Sequence, residues 1–152
     1  MVIATGTAVT GPRFAGVDAL LADARSRLDR VDVETAYREA LHGALLVDIR
    51  PAAQRAAEGE VHPAVGVLVI ERNVLEWRLD PRSDARLPQA SYDARVLVLC
   101  QEGYTSSLAA DALRSLGVDA TDVVGGFAAW RAAHLPVACP AGSDLPEPVR
   151  GA

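Results

Sequence analysis

Two side chains in this sequence, Cys100 and Cys139, could serve as thiolate nucleophiles. They are far apart, form no Cys-x-x-Cys pair, and show no metal-ligand spacing with His42, His62 or His134, so no metal site is expected. Cys100 has the more informative setting. The apolar run Val96-Leu97-Val98-Leu99 ends directly at it, and Gln101-Glu102-Gly103-Tyr104-Thr105 leads from there to Ser106, where a helical pattern begins. A short loop between a buried strand and a helix can curl so that successive backbone N–H groups point inward. Such a nest, with the helix N-terminus beyond it, holds an anion and favours thiolate over thiol. Gly103 permits a backbone angle that bulkier residues resist. Thr105 and Ser106 can donate hydroxyl hydrogen bonds to an anion, or Ser106 can simply cap the helix. Against this, a lone cysteine at a strand end is most often a small buried hydrophobe. The loop alone leaves the two readings evenly weighted.

The elements that must position Cys100 can be read from apolar periodicity. Val17 to Leu28 has helical spacing, with Asp18 near its start and Arg25 and Arg27 near its end, as the helix dipole prefers. An extended piece follows around Val31. Asp32 is then an N-cap for a helix over Val33 to Leu41, which Gly43 stops. Ala44 to Asp48 reads as a buried strand, Pro51 to Glu58 as a short helix, and Val65 to Ile70 as a second strand. Asn73 can cap a helix running to Leu79, and Asp80 to Ala94 reads as a loop. The strand Val96 to Leu99 is followed by a helix from Ser106 to Leu116, stopped by Gly117. Thr121 to Val124 is a fourth strand, Gly125-Gly126 turns into a helix containing Trp130, and Leu135-Pro136-Val137 closes the domain. The expected organisation is an N-terminal helical extension at 1–30, one domain at 31–138, and a disordered tail at 139–152, rich in Pro, Gly and acids. Strands alternating with helices imply an α/β fold, a parallel sheet flanked by helices on both faces. Ligands of such sheets bind beyond the carboxyl ends of the strands, where Cys100 lies.

Composition narrows the function classes. The 152 residues suit one domain with a real core. The net charge is -5, and the 15 basic residues are scattered arginines with no basic run, which argues against a nucleic-acid partner. No apolar stretch is long enough for a membrane span, and Met1 to Phe14 does not read as a signal peptide. This cysteine usage fits a reducing, cytoplasmic setting.

Several segments together resemble the rhodanese-like family. Leu45-Leu46-Val47-Asp48-Ile49-Arg50 looks like its strand ending in Asp-x-Arg, and Val96 to Ser106 looks like its active-site strand and cysteine loop. Ala109 to Gly117 is similar to the helix that follows, Val123 to Trp130 to the late Gly-Gly-x-x-x-Trp feature, and Leu135-Pro136-Val137 to the usual ending. The resemblance spans about Val31 to Val137. It implies a sulfurtransferase that moves sulfane sulfur from a small-molecule or protein donor to a thiol acceptor, through a persulfide on Cys100 and with no cofactor. It implies a cradle for that persulfide in Gln101, Glu102, Gly103, Tyr104, Thr105 and Ser106. Asp48 and Arg50 are expected to support loops, and Gly125, Gly126 and Trp130 to serve turns and packing.

The departures are specific. Gly59 to Gly66 replaces the family's Gly-His-Ile-x-Gly-Ala, which implies a remodelled loop in which His62 is not simply the family histidine. Thr105 stands where arginine is frequent, Glu102 where thiosulfate users often carry a base, and His134 where glycine is common, read here as a helix end. Arg72 could contact a substrate anion, although a solvated arginine is the commoner outcome, and Trp77 is expected to pack on the core. Cys139 lies past the last motif and is expected not to be catalytic; resolving a persulfide as a disulfide is its alternative role. Two rival functions stand beside the enzyme. One is a non-turnover module acting as persulfide carrier, sulfide sensor or protein-binding domain. The other is a phosphatase or arsenate reductase of the related cysteine-loop type, which would need an arginine where this chain has Ser106.

Overall fold

The computed structural model describes residues 11–138; Cys139 and the rest of the expected tail lie outside the described residues. In chain order the elements are α1 (Val17–Arg25), α2 (Val33–Leu41), β1 (Leu45–Asp48), α3 (Ala52–Glu58), β2 (Glu60–Val61), β3 (Leu68–Val69), α4 (Leu75–Leu79), β4 (Arg95–Leu99), α5 (Thr105–Ser115), β5 (Asp119–Asp122), α6 (Gly126–Ala132) and β6 (Val137–Ala138). The main sheet has the order β3-β1-β4-β5 with every pairing parallel. Alternation along the central strands divides the core between two faces. Val47, Val96, Val98 and Cys100 pack with Leu75 and Leu79 of α4 and Leu113 of α5. Leu46, Leu97 and Leu99 pack on the other face with Ala36 of α2 and Phe127 and Trp130 of α6. Helix α1 lies outside this sandwich, against α5.

Local chemistry explains several element ends. The Asp32 side chain accepts the Thr35 N–H at 2.7 Å, which supplies one of the orphan donors of α2 with a partner. That contact holds the Asp32 carboxyl below the usual carboxylate range. His134 ends α6 in the left-handed region at φ 57°, as a helix-end residue.

Other expectations need correction. The second strand is confined to Leu68–Val69, because His62 Nδ1 accepts the Ala64 N–H and caps a single 3-10 turn at Pro63–Val65. Asn73 caps no helix; it lies inside a 3-10 turn, and α4 begins at Leu75 with no side-chain cap. The fourth strand begins at Asp119, two residues before the apolar signal, because Asp119 pairs with Arg95 at the sheet's edge. Trp77 is 59% exposed and not in the core. Within Gly59–Gly66, β2 pairs antiparallel with β6, through Glu60 with Ala138 and Val61 with Val137.

Sheet order explains where a ligand can enter. The chain leaves β1 toward β3 on one side and leaves β4 toward β5 on the other. The two connections diverge and open a crevice beyond the carboxyl ends of β1 and β4. Asp48, Ile49 and Arg50 stand at one lip of that crevice and Cys100 at the other.

Candidate active site

Cys100 lies at the floor of a cavity of about 480 Å³, lined also by Arg50, Gln54, Glu58, Arg72, Glu102 and Thr105 among others. The residue is 4% exposed, and its Sγ accepts the Gly103 N–H at 3.2 Å. The carbonyls of the loop point the other way. Phe127 N–H donates to the Cys100 oxygen at 2.8 Å and Ala128 N–H to the Gln101 oxygen at 2.9 Å. The loop therefore supplies acceptors to the orphan amides at the start of α6. Peptides among the described residues are trans, so the N–H groups of Gln101 and Glu102 face away from α6. Of the loop amides, the Gly103 N–H is the one that donates to the sulfur.

Close approach depends on the paired glycines. A Cβ on Gly126 would lie 2.4 Å from the Cys100 carbonyl oxygen and 2.7 Å from the Gln101 carbonyl carbon. A Cβ on Gly103 would lie 2.8 Å from the Gly125 nitrogen, and Gly103 sits at φ 85°. The cysteine loop and the Gly125-Gly126 turn thus touch backbone to backbone.

Asp48 and Arg50 form a buried unit. The Asp48 carboxylate accepts Arg50 Nη2 at 2.8 Å, Nε at 3.1 Å and the Arg50 N–H at 3.0 Å. Arg50 then reaches the cysteine loop through Nη1 to Gln101 Oε1 at 3.0 Å, while its guanidinium stacks 4.2 Å from the Phe127 ring centre. A pair this deeply buried is held in place because each charge would be costly alone. Arg72 does reach the cavity, yet its Nη1 donates to Glu76 at 2.7 Å. Arg78 donates to the Ala85 carbonyl and does not line the cavity. Glu102, Tyr104 and Thr105 are exposed at the rim.

Ser106 departs from its expected place. Its side chain is buried, and its Oγ donates to Asp122 Oδ2 at 2.8 Å, so it neither lines the cavity nor caps α5. Ser107 donates to the same oxygen at 2.8 Å, and Arg30 is bidentate on Asp122 at 2.9 and 3.1 Å. Asp122, Arg30, Arg25 and Glu58 are not marked as site residues by the sequence pattern. Asp122 had one usable signal: an acid inside a buried strand needs a cationic or hydroxyl partner.

A parallel α/β sheet that delivers a cysteine loop to its carboxyl edge, followed by the N-terminus of α5, defines the class of domain. The rhodanese-like domain model matches residues 31–133, and the chain belongs to that family. No curated protein matches the chain in sequence. Among solved structures it is similar to a Rhodopseudomonas palustris protein described as of unknown function and a possible tyrosine phosphatase. The identity is 26% and the TM-score 0.74, over 84% of this chain and 98% of that one. It is also similar to the homodimeric polysulfide-sulfur transferase of Wolinella succinogenes, at 20% identity and TM-score 0.66 over 84% and 90% of the two chains. A rhodanese-related protein of Thermoplasma volcanium shares 22% identity at TM-score 0.56, over 72% and 96%. The last two likenesses speak to the fold. Among the described residues no helix is long and apolar enough to cross a membrane.

Proposed function

We propose that this protein is a sulfurtransferase that carries sulfane sulfur on Cys100. The observation that carries the reading is the Cys100 Sγ lining an open cavity, accepting the Gly103 N–H from a loop whose Cys100 and Gln101 carbonyls turn toward α6. The Cys100 thiolate attacks the outer sulfur of a donor persulfide. The new S–S bond forms as the donor's S–S bond breaks, and the donor leaves as its thiol. An acceptor thiolate then attacks the outer sulfur of the Cys100 persulfide and returns Cys100 as thiolate. The nest and the rim hydroxyl of Thr105 suit the terminal anionic sulfur. Gln101 to Ser106 act chiefly through backbone, and Asp48 and Arg50 hold the loop.

The cavity charges favour a donor with little charge over a dianion such as thiosulfate. Arg50 is matched by Asp48 and Arg72 by Glu76, while Glu58 and Glu102 add negative charge. A phosphatase is the rival that the Rhodopseudomonas likeness raises. It is disfavoured because the position for a dianion-clamping arginine is Ser106, committed to Asp122. Intact mass after incubation with thiosulfate, mercaptopyruvate and glutathione persulfide in turn tests the proposal. One added sulfur on the wild type, absent in Cys100→Ser and retained in Cys139→Ser, is the expected pattern. Sulfur uptake by Cys100→Ser at the wild-type rate, or turnover of an aryl phosphate without sulfur uptake, refutes it.

A further inference from the structure

Two arginines that precede residue 31, where the family match begins, grip the cysteine loop from behind. Arg25 at the end of α1 and Arg30 beyond it both donate to the Gly103 carbonyl oxygen, at 2.7 and 2.8 Å. That carbonyl belongs to the trans peptide joining Gly103 to Tyr104, so anchoring the oxygen turns the Tyr104 N–H to the opposite side. The same Gly103 gives its own N–H to Cys100 Sγ at 3.2 Å. One residue thus links the sulfur to both guanidinium groups.

The two arginines differ in charge balance. Arg30 is neutralised by its bidentate contact with buried Asp122. Arg25 makes no ion pair among the described residues. Its other hydrogen bond goes to Ser107 Oγ at 3.0 Å, and its guanidinium lies 5.7 Å from the Tyr104 ring centre. Its direct partners among the described residues are neutral, and the Asp122 carboxylate beyond Ser107 is already matched by Arg30, so a net, partly buried positive charge stands behind a loop that must hold an anionic sulfur. Interactions at such partly buried sites are screened less than at the surface.

We propose that Arg25 is a positioning residue of the Cys100 loop. It fixes the Gly103 carbonyl and supplies positive charge behind the sulfur, which makes α1 a working part of the site. For the persulfide step this rests on the reading of Cys100 as a sulfur carrier; for the thiolate it stands without that reading. Arg30 cannot carry the test, because removing it leaves Asp122 buried and unpaired.

The test uses the full chain as Arg25→Gln and Arg25→Lys. Glutamine keeps a donor for the carbonyl and loses the charge; lysine keeps the charge and loses the fork that spans Gly103 and Ser107. Three quantities are measured: the thermal midpoint, the rate of Cys100 alkylation by iodoacetamide at neutral pH, and kcat and KM with glutathione persulfide. Arg25→Gln should slow alkylation and kcat together by about tenfold with KM within about twofold, the size expected when a supporting partner is lost. Arg25→Lys should recover alkylation to within about threefold of wild type, and neither should move the midpoint by more than a few degrees. Wild-type alkylation in Arg25→Gln overturns the proposal, and equal slowing in Gln and Lys overturns its claim that the charge acts on the sulfur. If the wild type takes up no sulfur from any donor, the sulfurtransferase reading fails, while the alkylation ratio still decides the role of Arg25.

Discussion

Replacing Gly126 by alanine should damage the site more than the fold. The added Cβ would lie 2.4 Å from the Cys100 carbonyl oxygen. Carbon–oxygen contacts settle at no less than about 3.3 Å, so the cysteine loop or the start of α6 must retreat by about 0.9 Å. That retreat breaks or stretches the Phe127 and Ala128 N–H bonds to the Cys100 and Gln101 carbonyls, now 2.8 and 2.9 Å. Gly126 also sits at φ 58°, where alanine costs about 1–2 kcal/mol. Forcing the contact adds about 1–3 kcal/mol. At about 2–4 °C per kcal/mol for a chain of this size, the midpoint should fall by about 4–20 °C. Misplacement near 1 Å costs about a hundredfold in rate where geometry controls chemistry, so sulfur loading should fall by about 10- to 100-fold at temperatures where the variant is folded. Gly66→Ala is the control: φ 83°, with nothing within 4 Å of its Cβ. It should lower the midpoint alone. Single-turnover loading followed by intact mass, beside thermal melts of both variants, makes the comparison. If Gly126→Ala loads sulfur as fast as Gly66→Ala, the claim that backbone contact sets the cysteine loop is wrong.

Two further outcomes follow from charge. Glu102 at the cavity rim should select against dianionic donors: at about 6 Å and an effective dielectric near 20, each like charge costs about 2–3 kcal/mol before screening, and about 1 kcal/mol once exposure and salt are allowed for. The kcat/KM for thiosulfate should therefore rise stepwise through Glu102→Gln to Glu102→Lys, with a wild-type deficit that shrinks in salt; efficient use of thiosulfate by the wild type would count against it. Asp32→Ala should lower the thermal midpoint by removing the cap of α2. Because the Thr35 N–H holds the folded Asp32 carboxyl below the usual range, its contribution is complete above the ordinary carboxylate value of about 3.9 and lost as pH falls through the lowered one. The gap between wild type and variant should be full at pH 7 and close on acidification; a gap that persists in strong acid would exclude the carboxylate as its source.

The sequence by itself determined the features that repeat or punctuate over short distances. Runs such as Val96 to Leu99 specify a buried strand, and the glycine loop after it places Cys100 at a strand end. Asp32 announces the start of α2 because a side chain three residues away from an amide finds it by local geometry alone. The two-residue strands β2 and β6 were illegible, since two residues show no alternation and each strand exists only through the other. The exposure of Trp77 was hidden for a related reason: apolar content signals burial only when the helix carrying it turns that face inward, and α4 spends its inward face on Leu75 and Leu79. Tertiary structure alone decided how the site is held. Arg25 and Arg30 meet the Gly103 carbonyl across 78 and 73 residues, and Ser106 turns from the cavity to Asp122 because a fully buried carboxylate demands every nearby donor. Which donor meets which acceptor at that range depends on strand order and on α1 packing against α5, and no local pattern encodes either.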